Sequence, residues 1–374
     1  MSSSKTHILK IDLIKGLAIL AVVLTHSLPY DGNFMTLRML SISMALPIFI
    51  LLMGRNMAAS FKKHQYLESN GLISSKYFKN RLKRFLYPFI PIFMLSIMLG
   101  IIFNRDIYLG ILNLVGYLPL PGPGNYFVTV LLQFVIIFPL LYFSYQRHPR
   151  LTLLFAFLIS FIFELFSSNL NAFNSDSYLY YANILRYLFL ITLGLWVFEG
   201  FEPKKRIRSS RESYLVMVGL AISIIYLMAF SVFHWEFPFF NNFWGTEYPT
   251  LGSYVFLMAF YPLAIYMLAY RILPSNSHNK LVRSIQYLGK ASYHIFLVQI
   301  LFFAVLYNPY SIILRHELFG INHEFIVGLF AIIISLGVTI SAGVLFYKYE
   351  DKLIKLIDMV YDFNKNLIDI RRSK

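Results

Sequence analysis

Long apolar runs separated by short polar connections make up most of the chain. Runs near 11–29, 36–60, 85–103, 126–146, 151–168, 178–199, 213–233, 251–272, 286–307 and 324–347 read as spanning helices. A bilayer crossing takes about 20 mostly apolar residues at about 1.5 Å each. Helices are predicted because backbone in hydrocarbon must satisfy its own hydrogen bonds. The pattern therefore predicts an all-α, polytopic membrane bundle of about ten spans. The apolar segment 107–120 is too short to cross and ends among Pro119, Pro121 and Pro123, so it reads as a half-helix or re-entrant piece. Asp12 and Lys15 stand at the start of the first run, and no small-residue cleavage pattern follows His26. That run is therefore expected to be an uncleaved span. Beyond Lys348, the residues Leu353, Ile357, Val360, Tyr361 and Ile368 fall roughly on one helical face. Residues 348–374 are thus expected to lie along the inner membrane surface, as a tail to a membrane domain over 1–347.

Charge adds a direction to this pattern. Of the 33 Lys and Arg residues, 27 lie in the amino-terminal segment, in alternate connections or beyond residue 347, and only Arg38, Arg105 and Arg315 lie in the other connections. Cations favour the cytoplasmic side, so both termini are predicted inside. The same distribution argues against nucleic acid as the partner of the +15 net charge, because the cations form no single stripe. With 58% apolar and 14% charged residues, the chain is not composed as an ordinary soluble domain. The absence of cysteine removes thiol nucleophiles and Cys-ligated metals, and no His, Asp and Glu spacing suggests a metal site.

Ionisable residues inside spans are functional suspects, since each costs about 2.5 kcal/mol or more near the bilayer centre. They are Asp12, Lys15, His26, Arg55, Glu164, Arg186 and His294. In the first span Lys15 and His26 are eleven residues apart, within about 20° of three whole turns, so both project from one face. Asp12 lies about 40° to the other side, and His26 stands about 16 Å further along than Lys15. Gly16 lets something approach the backbone beside Lys15. Asp12 and Lys15 could equally be boundary charges, and His26 a packing residue. Arg55 is placed where its side chain could snorkel, and Arg186 suits an ion pair with Glu164 or Asp12 as well as a ligand. Pro47, Pro88, Pro91, Pro139 and Pro262 would kink or start helices and make room for a cavity. In KYFKNRLKRFLYP, Arg81 and Arg84 share a helix face beside Lys83, an arrangement suited to phosphate or to anionic lipid. The segment HWEFPFFNNFWGTEYP interleaves aromatics with Glu236 and Glu247, as either a sugar-binding surface or an interfacial belt would.

Taken in order, these elements resemble the membrane-bound acyltransferase 3 family, which includes bacterial sugar O-acetyltransferases. Asp12, Lys15, Gly16 and His26 resemble its opening Asp-x-x-Arg/Lys-Gly element with a following His. Pro47, Phe49 and Gly54 resemble its second-span element, and Arg81, Arg84 and Pro88 its Arg-x-x-Arg entry to the third. NYFVTVLLQFVIIFP, with Asn125 and Tyr126, is similar to its fourth span. GKASYHIFLVQ, with Tyr293 and Gln299, is similar to its late Ser-Tyr element. Met53 stands where Ser is usual, Tyr126 where Trp is common, and Gln299 where His is frequent.

The resemblance implies cytoplasmic acyl-CoA, commonly acetyl-CoA, as donor substrate with no permanently bound cofactor. It also implies a hydroxyl of an envelope carbohydrate as acceptor, and a bacterial plasma membrane as location. Arg81, Arg84, Lys83 and Lys15 would hold the donor's phosphates. His26 would be general base or acyl carrier, with Asp12 orienting or charge-balancing that face. Gly16, Arg55, Asn125, Tyr126, Arg186, Tyr293 and Gln299 are candidate pocket residues. The competing reading is a transporter or flippase for an envelope glycan or its precursor, using Arg186, Glu164 and His26 along a polar pathway.

Overall fold

The computed structural model describes residues 2–27, 32–66, 74–167, 177–202, 210–231, 255–316, 329–330 and 332–353. It is 87% helical, and no strand occurs among the described residues. The long helices are α1 (Ser2–Ser27), α2 (Gly32–His64), α3 (Ser75–Ile102), α4 (Tyr126–Arg147) and α5 (Pro149–Ser167). They continue with α6 (Ile184–Phe201), α7 (Ser210–Ser231), α8 (Val255–Ile272), α9 (Lys280–His316) and α10 (Ile332–Leu353). Among the described residues seven helices are long and apolar enough to cross a membrane: α3, α4, α6, α7, α8, α9 and α10. α1, α2 and α5 stand at the remaining positions where the sequence predicts spans.

Burial sorts these helices into a centre and a rim. α1 is closed in almost all round: Leu9, Ile11, Asp12, Leu13, Ile14, Ala18, Ile19, Val22 and Val23 are buried, and Leu17 is its exposed apolar residue. α4, α6, α2 from Ala45 onward and α9 between Ala291 and Val305 are largely enclosed as well. α3, α5, α7 and α10 turn broad apolar faces outward, through Met94 and Ile101, Phe155 and Ile162, Tyr214 and Ile225, and Ile333 and Leu345. In water such faces would be unfavourable, whereas against lipid chains they cost little.

Two pairs of glycines set the closest helix contacts. A side chain at Gly16 would strike the Ile285 carbonyl of α9, and one at Gly289 would strike the Asp12 carbonyl of α1. Likewise Gly54 of α2 faces Ile191 of α6, and Gly194 of α6 faces Leu51 of α2. Small residues let helix backbones touch in this way, and close packing is what holds helices together where lipid is as apolar as their side chains.

Contacts at both ends of the α1–α9 pair give its direction. Asp12 meets Gly289, and His26 meets Phe303 with ring centroids 5.8 Å apart, so equal steps along both helices connect the contacts. The two helices run parallel. α3 runs the same way, since Tyr293 donates to the Phe85 carbonyl at 3.0 Å and Arg105 donates to the Val305 carbonyl at 3.4 Å.

Two local expectations change. Segment 107–120 is not a half-helix: only Ile111–Val115 is helical, as a 3-10 turn, with Gly110 and Gly116 on either side. The Tyr108 N–H donates to the Pro119 carbonyl at 2.8 Å, closing the segment into a loop. α10 runs on through Leu353, so residues 348–353 continue that helix, while the rest of the amphipathic tail lies outside the described residues. Pro47, Pro88, Pro91 and Pro139 all sit inside helices that continue past them. The aromatic segment with Glu236 and Glu247 also lies outside the described residues.

Candidate active site

α6 shows first what the buried charges do. It opens as a 3-10 turn over Ile184–Tyr187, becomes α-helical over Leu188–Trp196 and ends as a π turn over Val197–Phe201. A buried ion pair stands at each irregular end. Arg186 Nε lies 3.2 Å from Glu164 Oε1 of α5, and the same oxygen accepts the Val255 N–H at 3.0 Å. The Arg186 guanidinium also faces the rings of Tyr180 and Tyr181 at 4.4 and 4.9 Å. At the other end Glu202 accepts two hydrogen bonds from Arg55, at 2.6 and 2.8 Å, and a third from the Tyr266 hydroxyl at 2.6 Å.

Arg55 therefore does not snorkel, because a buried carboxylate receives it in a two-pronged grip. Glu202 was not singled out in the sequence, where it looks like a boundary charge beyond an apolar run. Of the two partners open to Arg186, Glu164 is the one it takes. Both pairs brace helices, and neither leaves its arginine as a lone charge.

The polar stripe of α1 is divided between two levels. At the first, Asp12 is buried and its Oδ1 lies 2.7 Å from Lys15 Nζ. The space beside Gly16 is taken by α9. Four residues beyond Gly289, or about 6 Å along α9, Tyr293 bonds to Phe85, the neighbour of Arg84. Asp12, Lys15, Arg84 and Tyr293 thus belong to one layer. Arg84 and Lys83 are exposed, with Lys83 over the Tyr87 ring at 5.4 Å. Arg81 is half-buried, donates to Ser60 of α2, and keeps a buried Nε that has no hydrogen-bond partner among the described residues. His294 lies on α9 with Nε2 3.2 Å from Glu350 Oε2 of α10. Glu350 was also missed, because the sequence places it in the tail rather than in a spanning helix.

The second level is at the far end of α1. His26 occupies its last turn, half-buried against Phe303. One turn back along α9, Gln299 is wholly buried and its Nε2 donates to the Pro123 carbonyl at 3.1 Å. Asn125 follows two residues later, its Oδ1 accepting the Leu118 N–H at 3.0 Å. Tyr126 stacks on Tyr181 at 5.4 Å, which leads on to Arg186. Gln299, Asn125, Tyr126 and Arg186 therefore form a continuous band from α9 to α6, although they are scattered along the sequence. An apolar groove of about 410 Å³ runs beside it, lined by Leu112, Thr129, Leu132, Gln133, Tyr178 and Asn183 among others.

This is an all-helical, multi-pass membrane protein whose candidate site is built around its first and ninth helices. The model of the acyltransferase 3 family, described as an acyltransferase domain, matches residues 8–347. The chain belongs to that family, and is a membrane acyltransferase. No curated protein and no solved structure matches it.

Proposed function

We propose that the protein moves an acyl group, most simply acetyl, from cytoplasmic acyl-CoA to a hydroxyl of an envelope carbohydrate. The proposal takes the chain to have about ten spans with both termini in the cytoplasm of a bacterial cell. Parallel α1, α3 and α9 support that arrangement, since the first, third and ninth of ten spans must point the same way. The cation distribution supports the orientation.

One observation carries the reading. α1 holds Lys15 in the cation-rich layer and His26 about 16 Å onward, along the path a pantetheine arm would take. Arg81, Arg84, Lys83 and Lys15 would meet the phosphates, so the nucleotide stays near water and only the acyl arm enters the bundle. His26 takes the acceptor's hydroxyl proton while the oxygen attacks the thioester carbonyl. The C–S bond then breaks, and the departing thiolate receives the proton. In the other version the imidazole attacks the thioester carbonyl first, the C–S bond breaks and the CoA thiolate leaves with the imidazole's proton. The hydroxyl oxygen then takes the acyl group and its proton returns to the imidazole. Asp12, paired with Lys15, keeps the inner end of the helix close to neutral.

Transfer of labelled acetyl from acetyl-CoA to envelope glycan, in membranes containing the intact protein, tests the reading. His26→Ala should lower transfer by about 100-fold or more, the range of a lost general base, at unchanged protein level. Normal transfer by that variant overturns both versions. Glycan movement with no acyl-CoA requirement favours a transporter.

A further inference from the structure

Beside the His26 level, two buried amides have orientations fixed by their partners. Gln299 must present Nε2 to the Pro123 carbonyl, which leaves Oε1 as an acceptor with no hydrogen-bond partner among the described residues. Asn125 must present Oδ1 to the Leu118 N–H, which leaves Nδ2 as a donor, also without a partner among the described residues. Flipping either amide would set like against like at a bond already made. Both side chains are nearly inaccessible, at 0% for Gln299 and 4% for Asn125. Buried polar atoms left unpaired are costly, so a site that keeps a free acceptor and a free donor is built to meet something.

We propose that Gln299 and Asn125 bind the amide of the donor's pantetheine arm next to the thioester, Gln299 accepting its N–H and Asn125 donating to its carbonyl. This rests on the acyltransferase reading above. A secondary amide displays one donor and one acceptor, which is the complement of what the two side chains leave open. Depth agrees as well. Gln299 lies four residues before Phe303, so it is about 6 Å nearer the donor's side than His26. In a CoA thioester the amide nitrogen precedes the sulfur by two methylenes, a comparable distance. A grip there would fix the thioester carbonyl against the imidazole, which is how positioned binding lowers a barrier. The two are positioning residues for the donor.

A donor-by-variant cycle tests the proposal, using membranes with the full-length protein. The two donors are acetyl-CoA and an analogue whose thioester-proximal amide is an ester, so that the N–H is lost and the carbonyl kept. With the unchanged protein the analogue should have a KM about tenfold higher, the effect of one buried acceptor left unpaired. With Gln299→Met the two donors should give equal KM values, while the KM for the glycan acceptor stays as it was. Asn125→Asp keeps the acceptor for Leu118 and removes the donor, so it should raise the KM of both donors by similar factors.

Equal KM values for the two donors with the unchanged protein overturn the proposal without touching the acyltransferase reading. So does a Gln299→Met effect that multiplies independently with the analogue's, or one that falls on the acceptor KM. No turnover of either donor by the unchanged protein overturns the acyltransferase reading, and this proposal with it.

Discussion

Single residues divide here into those that hold helices and those that the proposed function sets against a reaction. Arg55 and Glu202 are in the first group: their pair is fully buried and has Tyr266 as a third member. Glu202→Gln should destabilise the protein by about 3–5 kcal/mol, because it strands a buried guanidinium. Thermal unfolding in detergent should show the lowered midpoint. Replacing both Arg55 and Glu202 by Met should cost less than either single change. On the reacting side, Arg81→Ala with Arg84→Ala should raise the KM for acetyl-CoA about tenfold or more, as expected for lost charge-assisted phosphate contacts. The turnover number should change less. The sequence exposed both halves of the Arg186–Glu164 pair, but only Arg55 and His294 of the other two, because Glu202 and Glu350 sit near run ends, where charge is ordinary. Only packing reveals that these ends fold back into the bundle.

At the scale of helices, apolar run length located nearly every element, since crossing a bilayer demands about 20 such residues whatever the fold. Of the two readings open for segment 107–120, the half-helix fails because hydropathy does not register the breaks made by Gly110 and Gly116. Which helices touch was not legible either. Gly16 reads as a place of close approach and Gly289 draws no notice, and that each meets the other's helix appears only when α1 and α9 lie together. Gly289→Val should separate that pair and abolish the monodisperse folded species in size-exclusion chromatography. Gly337 of α10 has open space where a side chain would go, so Gly337→Ala should leave folding unchanged or slightly improved. Survival of Gly289→Val with normal elution would show that the α1–α9 contact does not hold the bundle together.

For the whole molecule, orientation is the sharpest expectation the sequence offers, and the assembly of the site was its least legible property. Sequence linked Lys15 and His26 because both lie on α1, whereas Asn125, Arg186 and Gln299 were grouped only through the family resemblance, with no indication of how they lie together. With no native cysteine, the topology can be tested directly. Lys63→Cys should react with a membrane-impermeant maleimide only after the cells are opened. Asn104→Cys, on an exposed turn at the far end of α3, should react in intact cells. The reverse pattern would invert the bundle and remove the cytoplasmic donor from the mechanism.

The parallel seating of α1 against α9 also bears on how the chain is made. α1 is made well before α9, and the surface that receives it is synthesised more than 250 residues later. In the interval Asp12 and Lys15 have mainly each other for company in the lipid. A nascent chain must therefore park its first helix, held at the insertion machinery or loosely against α2, until translation passes residue 303. A polypeptide halted after α8 should be cleared by proteolysis. Supplying residues 276–374 as a separate chain should rescue it, because the break falls in the exposed turn between α8 and α9.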